Sequence, residues 1–319
     1  MQAACDAMLR GQTSTEESAE FLRILAARGE TTTELTGLVQ SLRAHADPFP
    51  AQPNAIDVCG TGGDGQNTVN ISTAVALTVA GCGVPVVKHG NRAASSQSGS
   101  ADVLEALGVK IDAPAEVSQQ ALERTNLCFL FAPLYHPAMR HVAAARRQVG
   151  QRTIFNLAGP LANPARPQRQ LVGVFHRDWI MPMAETLLAL GGTTAWVVHS
   201  RDGMDELSTM APADVAQTQN GAIDLTCIDP LDYGFSRDIP AELRGGDAAT
   251  NAAAIRTLLA GDAGALQNIV VFNAAAALVI AGHSATLASG IVAARTALTS
   301  GAARAVLAQL IAITNGTDT

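Results

Sequence analysis

Ile56-Asp57-Val58-Cys59-Gly60-Thr61-Gly62-Gly63-Asp64-Gly65 is a short, largely apolar run that stops abruptly in glycines. Its first four residues have the length and branching of a strand. Glycines at a strand end let the backbone turn sharply and bring N–H groups close to an anion. Asn70-Ile71-Ser72-Thr73 then opens an Ala/Val-rich helix predicted over 74–81, whose first N–H groups and hydroxyls offer a second anion site. Gly60, Gly62 and Gly65 also fit the G-x-G-x-x-G spacing of dinucleotide-binding units. Such a unit needs an acidic residue about 20 positions further on to hold a ribose hydroxyl. Here the next strand ends instead in a cation, Lys88-His89-Gly90-Asn91. Asp64, inside the loop, would repel a bare pyrophosphate and makes sense where a divalent cation or a ribose hydroxyl lies between them.

Outward from these segments the chain alternates. Ile56–Cys59, Val84–Val87, Leu127–Phe131, Leu171–Phe175 and Trp196–His199 are short apolar runs separated by helical stretches. That pattern predicts an α/β fold with a central, largely parallel sheet flanked by helices. The first fifty residues read as short helices, opened by the capping-box patterns Ser14-x-x-Glu17 and Thr31-x-x-Glu34. Asp47-Pro48-Phe49-Pro50 ends them. Residues 138–165 interrupt the alternation with an Ala/Arg-rich helix and a Gly-Pro/Asn-Pro loop. Ala-rich segments at 251–260, 272–281 and 285–310 read as covering helices. The expected division is a small helical domain over 1–50, joined by roughly 138–165, and an α/β domain over 51–137 and 166–319.

The bulk composition narrows the function. Hydrophobic residues make up 48% and charged residues 15%, the profile of a globular chain. Aromatics are only 4%, so the core must be built from Ala, Val, Leu and Ile. Five scattered cysteines without C-x-x-C spacing argue against a disulfide framework or a zinc site. The start Met1–Gly11 is too polar for a signal peptide, and no run of ~20 apolar residues is present; a cytoplasmic protein without membrane contact is expected. A net charge of −7, with 21 basic residues in no clustered run, argues against a nucleic-acid partner. Only two of those 21 are lysines, and Lys88 lies in the densest motif.

Three further features bear on chemistry. Asp205-Glu206 follows the apolar strand Ala195–His199 by one polar turn, where open α/β sheets place their ligands. Read alone, the pair is equally a solvated turn; beside a phosphate loop and a lysine, it suits Mg2+, which takes few carboxylates and shares its shell with phosphate and water. Arg146-Arg147 is either a helix-surface pair or a planar fork for a carboxylate. His136 is either a polar wall or a helix-start residue.

Gly60–Gly65, Asn70–Thr73, Lys88–Arg92, Ser98–Gly108, Phe155–Pro164 and Asp202–Glu206 together resemble the signature segments of the anthranilate phosphoribosyltransferases. These are the tryptophan-pathway members of the nucleoside phosphorylase-II-like fold, and the resemblance runs in family order over about residues 4–315. It implies a magnesium-dependent pentosyltransferase that works as a homodimer, joining phosphoribosyl pyrophosphate to the amine of anthranilate. By the same resemblance Gly60, Thr61, Gly62, Gly63, Asp64, Thr68, Asn70, Ser72, Thr73, Lys88 and Ser96 hold the donor. Gly60, Asn91, His136, Arg146 and Gly159 line the anthranilate path. Ser72, Asp205 and Glu206 ligate the metal, and Lys88, Asp205 and Glu206 act in catalysis. The chain departs from the family at Gln97, usually lysine, and at Ser200, commonly glycine. Two other readings use related features: a pyrimidine nucleoside phosphorylase, which needs an additional domain, and a nucleic-acid-binding paralogue, which needs a basic groove.

Overall fold

The computed structural model describes residues 1–93 and 97–317. Helices α1 (Gln2–Leu9), α2 (Thr15–Arg28) and α3 (Thr32–Ala44) come first. Next are β1 (Ile56–Gly60), α4 (Ile71–Gly81), β2 (Val86–Gly90), α5 (Ser100–Leu107), α6 (Ala115–Thr125) and β3 (Leu127–Phe131). Helices α7 (Ala132–Tyr135), α8 (Arg140–Val149) and α9 (Ile154–Ala158) precede β4 (Arg169–Gly173), α10 (Ile180–Ala189) and β5 (Thr194–Ser200). A hairpin, β6 (Ala213–Gln219) and β7 (Ala222–Ile228), leads into α11 (Ala248–Leu259), α12 (Ala265–Ile280), α13 (Leu287–Thr299) and α14 (Ala302–Thr314).

The seven strands form one sheet in the order β3-β2-β1-β4-β5-β6-β7. β1 to β5 are mutually parallel, and β6 and β7 extend the sheet antiparallel. The chain winds from β1 outward through β2 to β3, then returns to β4 and winds the other way. β1 and β4 are therefore neighbours from which the connections diverge, and such a crevice is where open α/β sheets bind ligands.

Both predicted capping boxes close. Ser14 Oγ accepts from Glu17 N at 3.1 Å while Glu17 accepts from Ser14 N at 2.8 Å. Thr31 and Glu34 repeat the arrangement. Helices α1, α2 and α3 share an apolar cluster with Val142, Ile154, Phe155 and Leu157, and with the sheet face under α10. The other sheet face is covered by α4, α5 and α11 to α14. On α4 and α12 nearly every position is buried, so their sequences are apolar all round.

Small residues explain how a core with so few aromatics packs densely. A Cβ on Gly81 would stand 2.8 Å from the Ala303 backbone nitrogen, and one on Gly290 2.8 Å from the Ala275 carbonyl oxygen. At both crossings the helices approach almost backbone to backbone.

The structure corrects some expectations. β2 and β4 are shifted by about two residues from their apolar runs. The segment 285–310 is two helices, broken at Gly301, whose φ of +81° disfavours any L side chain. The β6–β7 hairpin was not anticipated, although Asn220-Gly221, with φ of 52° and 79°, is its turn signal. Three cysteines are buried, but Cys82 is partly exposed and Cys227 lies open on the edge strand. Among the described residues no single helix is long and apolar enough to cross a membrane.

Gly173 ends β4 where a Cβ would run into the backbone of Asp205. Gly173→Ala is expected to lower unfolding free energy by about 1–3 kcal/mol, read from urea midpoints. Gly159 has helical dihedrals and open space around its Cβ position. Gly159→Ala should leave stability unchanged or raise it by up to about 1 kcal/mol.

Candidate active site

Parallel pairing brings the carboxyl ends of β1, β2, β4 and β5 to one edge of the sheet. At the crevice Gly60 is in register with Gly173. Asp205 lies directly on this pair. A Cβ on Gly60 would collide with its carboxylate, and one on Gly173 with its carbonyl. Asp205 Oδ2 accepts from the Gly62 N–H at 2.8 Å. Gly62, Gly63 and Gly65 all have positive φ, which turns the loop back over the strand end. The glycine loop and the acid turn are further cross-braced. Gln66 Nε2 donates to the Asp202 carbonyl at 3.0 Å, and the Asp205 N–H faces Asp64 Oδ2 at 3.4 Å.

Lys88 comes up from β2 beneath this unit and is buried. Its Nζ donates to the Val58 carbonyl at 2.8 Å and to Ser72 Oγ at 3.2 Å. Burial lowers its pKa, and Asp57 and Glu206 draw it partly back. Burial, reinforced by the charge of Asp64, pushes Asp205 up to about 7. Burial also pushes Glu206 well above the carboxylate range, Asp205 adds to it, and Lys88 offsets part. Asp64, Asp205 and Glu206 thus crowd one another while Lys88 offsets only part of the cost at Glu206, and a divalent cation is the group that would lower their energy. Among the described residues no three His, Cys, Asp or Glu side chains form a ready-made cage. The donor set fits Mg2+, which keeps water and phosphate oxygens in its shell, better than it fits a metal enclosed by protein ligands.

The other residues expected to hold a donor phosphate lie around the loop. Thr61 Oγ1 accepts from Phe175 N at 3.0 Å, and Thr68 forms an isolated bridge with Arg244. Asn70 joins three segments: its Nδ2 donates to the Ser98 carbonyl at 3.0 Å, and its Oδ1 accepts from Asn251 Nδ2 at 2.9 Å. Thr73 Oγ1 is enclosed without a hydrogen-bond partner. Ser96 lies outside the described residues. Gln97 is exposed.

A second set faces the other side of β2. The rings of His89 and His136 are 5.2 Å apart. The backbone of Gly159 lies beside His89 and that of Ala162 beside His136, and both Nε2 atoms are enclosed and unpartnered. Burial holds His89 down at about 3, aided by His136, and it lowers His136 as well. Two neutral imidazoles therefore share this wall. Arg146 is half-buried on α8, with its guanidinium 5.4 Å from the Phe155 ring centre, whereas Arg147 is exposed. Asn91 is exposed at the strand end, and neighbouring Arg92 is taken up by Asp102 and Glu105.

Sequence reasoning passed over four contributors. His89 sits inside the quoted motif, yet nothing there distinguished it from a core histidine. Arg152 stacks over Phe175 at 3.9 Å and donates to the Gly63 carbonyl, tying the α8–α9 segment to the glycine loop. Asn163 donates to Asp57 and to the Val87 carbonyl, both at 2.8 Å. Asn273 is a wholly buried amide inside the otherwise apolar run Ile269–Ile280 of α12, and that misfit was a readable signal.

A glycine-turned crevice with a buried lysine and an acid pair defines a glycosyl-transferring enzyme of the phosphate-cradling kind. The a/b domain of the glycosyl transferase family matches residues 52–304. Over 311 residues the chain is 50% identical to the anthranilate phosphoribosyltransferase of Paramagnetospirillum magneticum, covering 98% of this chain and 90% of that one. The enzyme of the same name from Azospirillum brasilense is 50% identical over 99% of this chain and 88% of its own. The crystal structure of anthranilate phosphoribosyltransferase from Thermus thermophilus superposes with a TM-score of 0.93 at 40% identity, covering 98% and 94% of the two chains. The Saccharomyces cerevisiae enzyme, in complex with phosphoribosyl pyrophosphate and Mg, shares the fold at TM-score 0.90 and 23% identity, covering 99% and 92%. The chain belongs to the anthranilate phosphoribosyltransferase family.

His89 gives a pH test. Its folded pKa, about 3, lies below the ordinary value of 6.5, so between them only the unfolded chain takes the proton. The stabilisation is complete above about pH 6.5 and is lost as pH falls. Between pH 6.5 and 4.5 the unfolding free energy of the wild type should fall more steeply than that of His89→Asn. The difference should reach at most about 1.4 kcal/mol per pH unit. Parallel curves would mean that water already reaches the ring.

Proposed function

We propose that this chain transfers the phosphoribosyl group of phosphoribosyl pyrophosphate to the amine of anthranilate, with Mg2+, as a step of tryptophan biosynthesis. The observation that carries this reading is the acid pair beside Lys88: Asp205 is buried on the Gly60–Gly173 end of the β1–β4 crevice, and half-buried Glu206 follows it. The products are N-(5-phosphoribosyl)anthranilate and pyrophosphate.

Each residue's part follows from its chemistry. The backbone of Gly60, Thr61, Gly62 and Gly63, the carboxylate of Asp64 and the hydroxyls and amides of Thr68, Asn70, Thr73 and Ser96 receive the donor. Ser72, Asp205 and Glu206 would hold Mg2+, which when bound neutralises charge gathering on the departing pyrophosphate. Lys88 adds a fixed cation from below, held by Val58 and Ser72 where it needs no reorganisation during the reaction. The acceptor is an aryl amine, already neutral at pH 7, so a strong general base is not required. Neutral His89 and His136 suit that role as walls. Arg146 offers its guanidinium to the anthranilate carboxylate, with Gly60, Asn91 and Gly159 along the same path.

The helices of 1–50, with 138–165, form the small unit of this reading, and 51–137 with 166–319 the α/β unit. A homodimer joined through the small unit would cover apolar side chains such as Ile24, which is 57% exposed. A cytoplasmic location goes with this function.

Loss of anthranilate fluorescence on mixing protein, Mg2+, donor and anthranilate tests the activity directly. Asp205→Asn with Glu206→Gln keeps shape and removes charge, and should lower turnover by about 10²–10³ or more. Turnover within twofold of wild type would sink the metal assignment. Arg146→Ala should raise the Michaelis constant for anthranilate by roughly 10–150-fold, the loss of a charge-assisted pair worth about 1.5–3 kcal/mol. The constant for the donor should stay close to wild type. A selective rise in the donor constant would put Arg146 on the other side of the site.

A further inference from the structure

Directly behind the acid pair, four consecutive backbone groups lack any backbone partner among the described residues: the Glu206 carbonyl, the Leu207 N–H and carbonyl, and the Ser208 N–H. Two side chains serve all four. Ser200 Oγ donates to the Glu206 carbonyl at 2.6 Å and accepts from Ser208 N at 2.9 Å. Asn273 Oδ1 accepts from Leu207 N at 2.9 Å, and its Nδ2 donates to the Leu207 carbonyl at 2.9 Å. Its second amide hydrogen goes to the Ile269 carbonyl, also at 2.9 Å. Both residues are wholly buried. An amide inside an apolar helix costs stability unless its bonds are made, and an alkyl side chain would pack α12 as well. The bonds that repay it go to the turn.

The turn needs this support. Asp205 and Glu206 are adjacent, Asp205 is buried, and Asp64 Oδ2 faces the Asp205 N–H at 3.4 Å from the glycine loop. Once ionised, as binding a cation requires, carboxylates this close repel one another and push a loop open. An unanchored turn would be free to rotate one carboxylate outward, and the pair would have to be reassembled around each incoming cation.

We propose that Ser200 and Asn273 are positioning residues for phosphoribosyl transfer, holding the backbone of 206–208 so that the Asp205 and Glu206 carboxylates converge before a divalent cation arrives. The proposal rests on the reading of that pair as the metal acids. Ser200, at the end of β5, and Asn273, in mid-α12, tie the turn to two separate elements of the fold. Such support from behind is what sets metal affinity once the ligands themselves are chosen.

The test uses Ser200→Ala and Asn273→Leu, the serine variant being the milder should the other fail to fold. In metal-free protein, hydrogen exchange of the Leu207 and Ser208 amides should accelerate about tenfold, with β5 and the rest of α12 unchanged. With donor present, Mn2+, read by electron paramagnetic resonance as a probe for Mg2+, should bind about tenfold more weakly. The Michaelis constant for anthranilate should stay within twofold. Unchanged exchange would overturn the anchoring. Faster exchange with unchanged Mn2+ affinity would overturn the positioning role and leave a structural one. The Asp205→Asn/Glu206→Gln protein separates the two readings: if it binds Mn2+ like wild type, the metal assignment fails, whereas the exchange result stands independently.

Discussion

Asp205 rests on the ends of two strands that have no Cβ, and the site is assembled around that contact. β1 and β4 must both finish in glycine, because a methyl group on either would occupy the space of the carboxylate or its carbonyl. Once the aspartate is seated, the Gly62 amide is drawn to it, Gln66 reaches across to Asp202, and the glycine loop acquires a fixed shape. The contact falls at the point where the sheet's winding reverses, so the crevice for a ligand and the acids that serve it coincide.

Charge burial follows from this geometry. Lys88, Asp57, Asp205 and Glu206 lie within one shielded cluster, and burial works against each of them. Asp57 is pushed up to about 6, with Lys88 and the Asn163 amide opposing the shift. A buried ionic group of this kind adds little stability compared with apolar packing. What it supplies is pre-arranged electrostatics: fixed charges in a region shielded from water would act strongly on a charged ligand. Fold stability comes from the small-residue helix packing around the cluster.

The helical segments attach to this frame through few polar links. Arg152 reaches from the α8–α9 segment to the Gly63 carbonyl, and Thr32 Oγ1 at the start of α3 donates to Glu185 of α10 at 2.9 Å. Asn163, in the Asn-Pro loop that joins the two sets of helices and strands, is tied to both β1 and β2. The loop beside His89 and His136 is therefore anchored to the strands that carry the glycine loop and Lys88, so both sides of the crevice share one foundation.

Much of this was legible in the chain. Alternating apolar runs and helical periods announced a parallel α/β sheet, because a strand buried on both faces has to be apolar throughout. Capping boxes marked the first helices, because their hydrogen bonds are local. Glycine-terminated strands, a lysine where a carboxylate would serve a dinucleotide, and Asp205-Glu206 after a strand pointed to phosphate and metal, since each motif lies within a few consecutive residues. The hairpin at Asn220-Gly221 was local too, and its signal was overlooked. What the tertiary structure alone decided were relations between distant segments. Gly173 is required because of Asp205, His89 and His136 stand together because β2 lies beside the α7–α9 loops, and Asn273 reaches the turn at Leu207 across 66 residues. Spacing along a chain reports only forces that act between near neighbours, whereas burial, the quantity that sets these side chains' bonds and charges, exists only after folding.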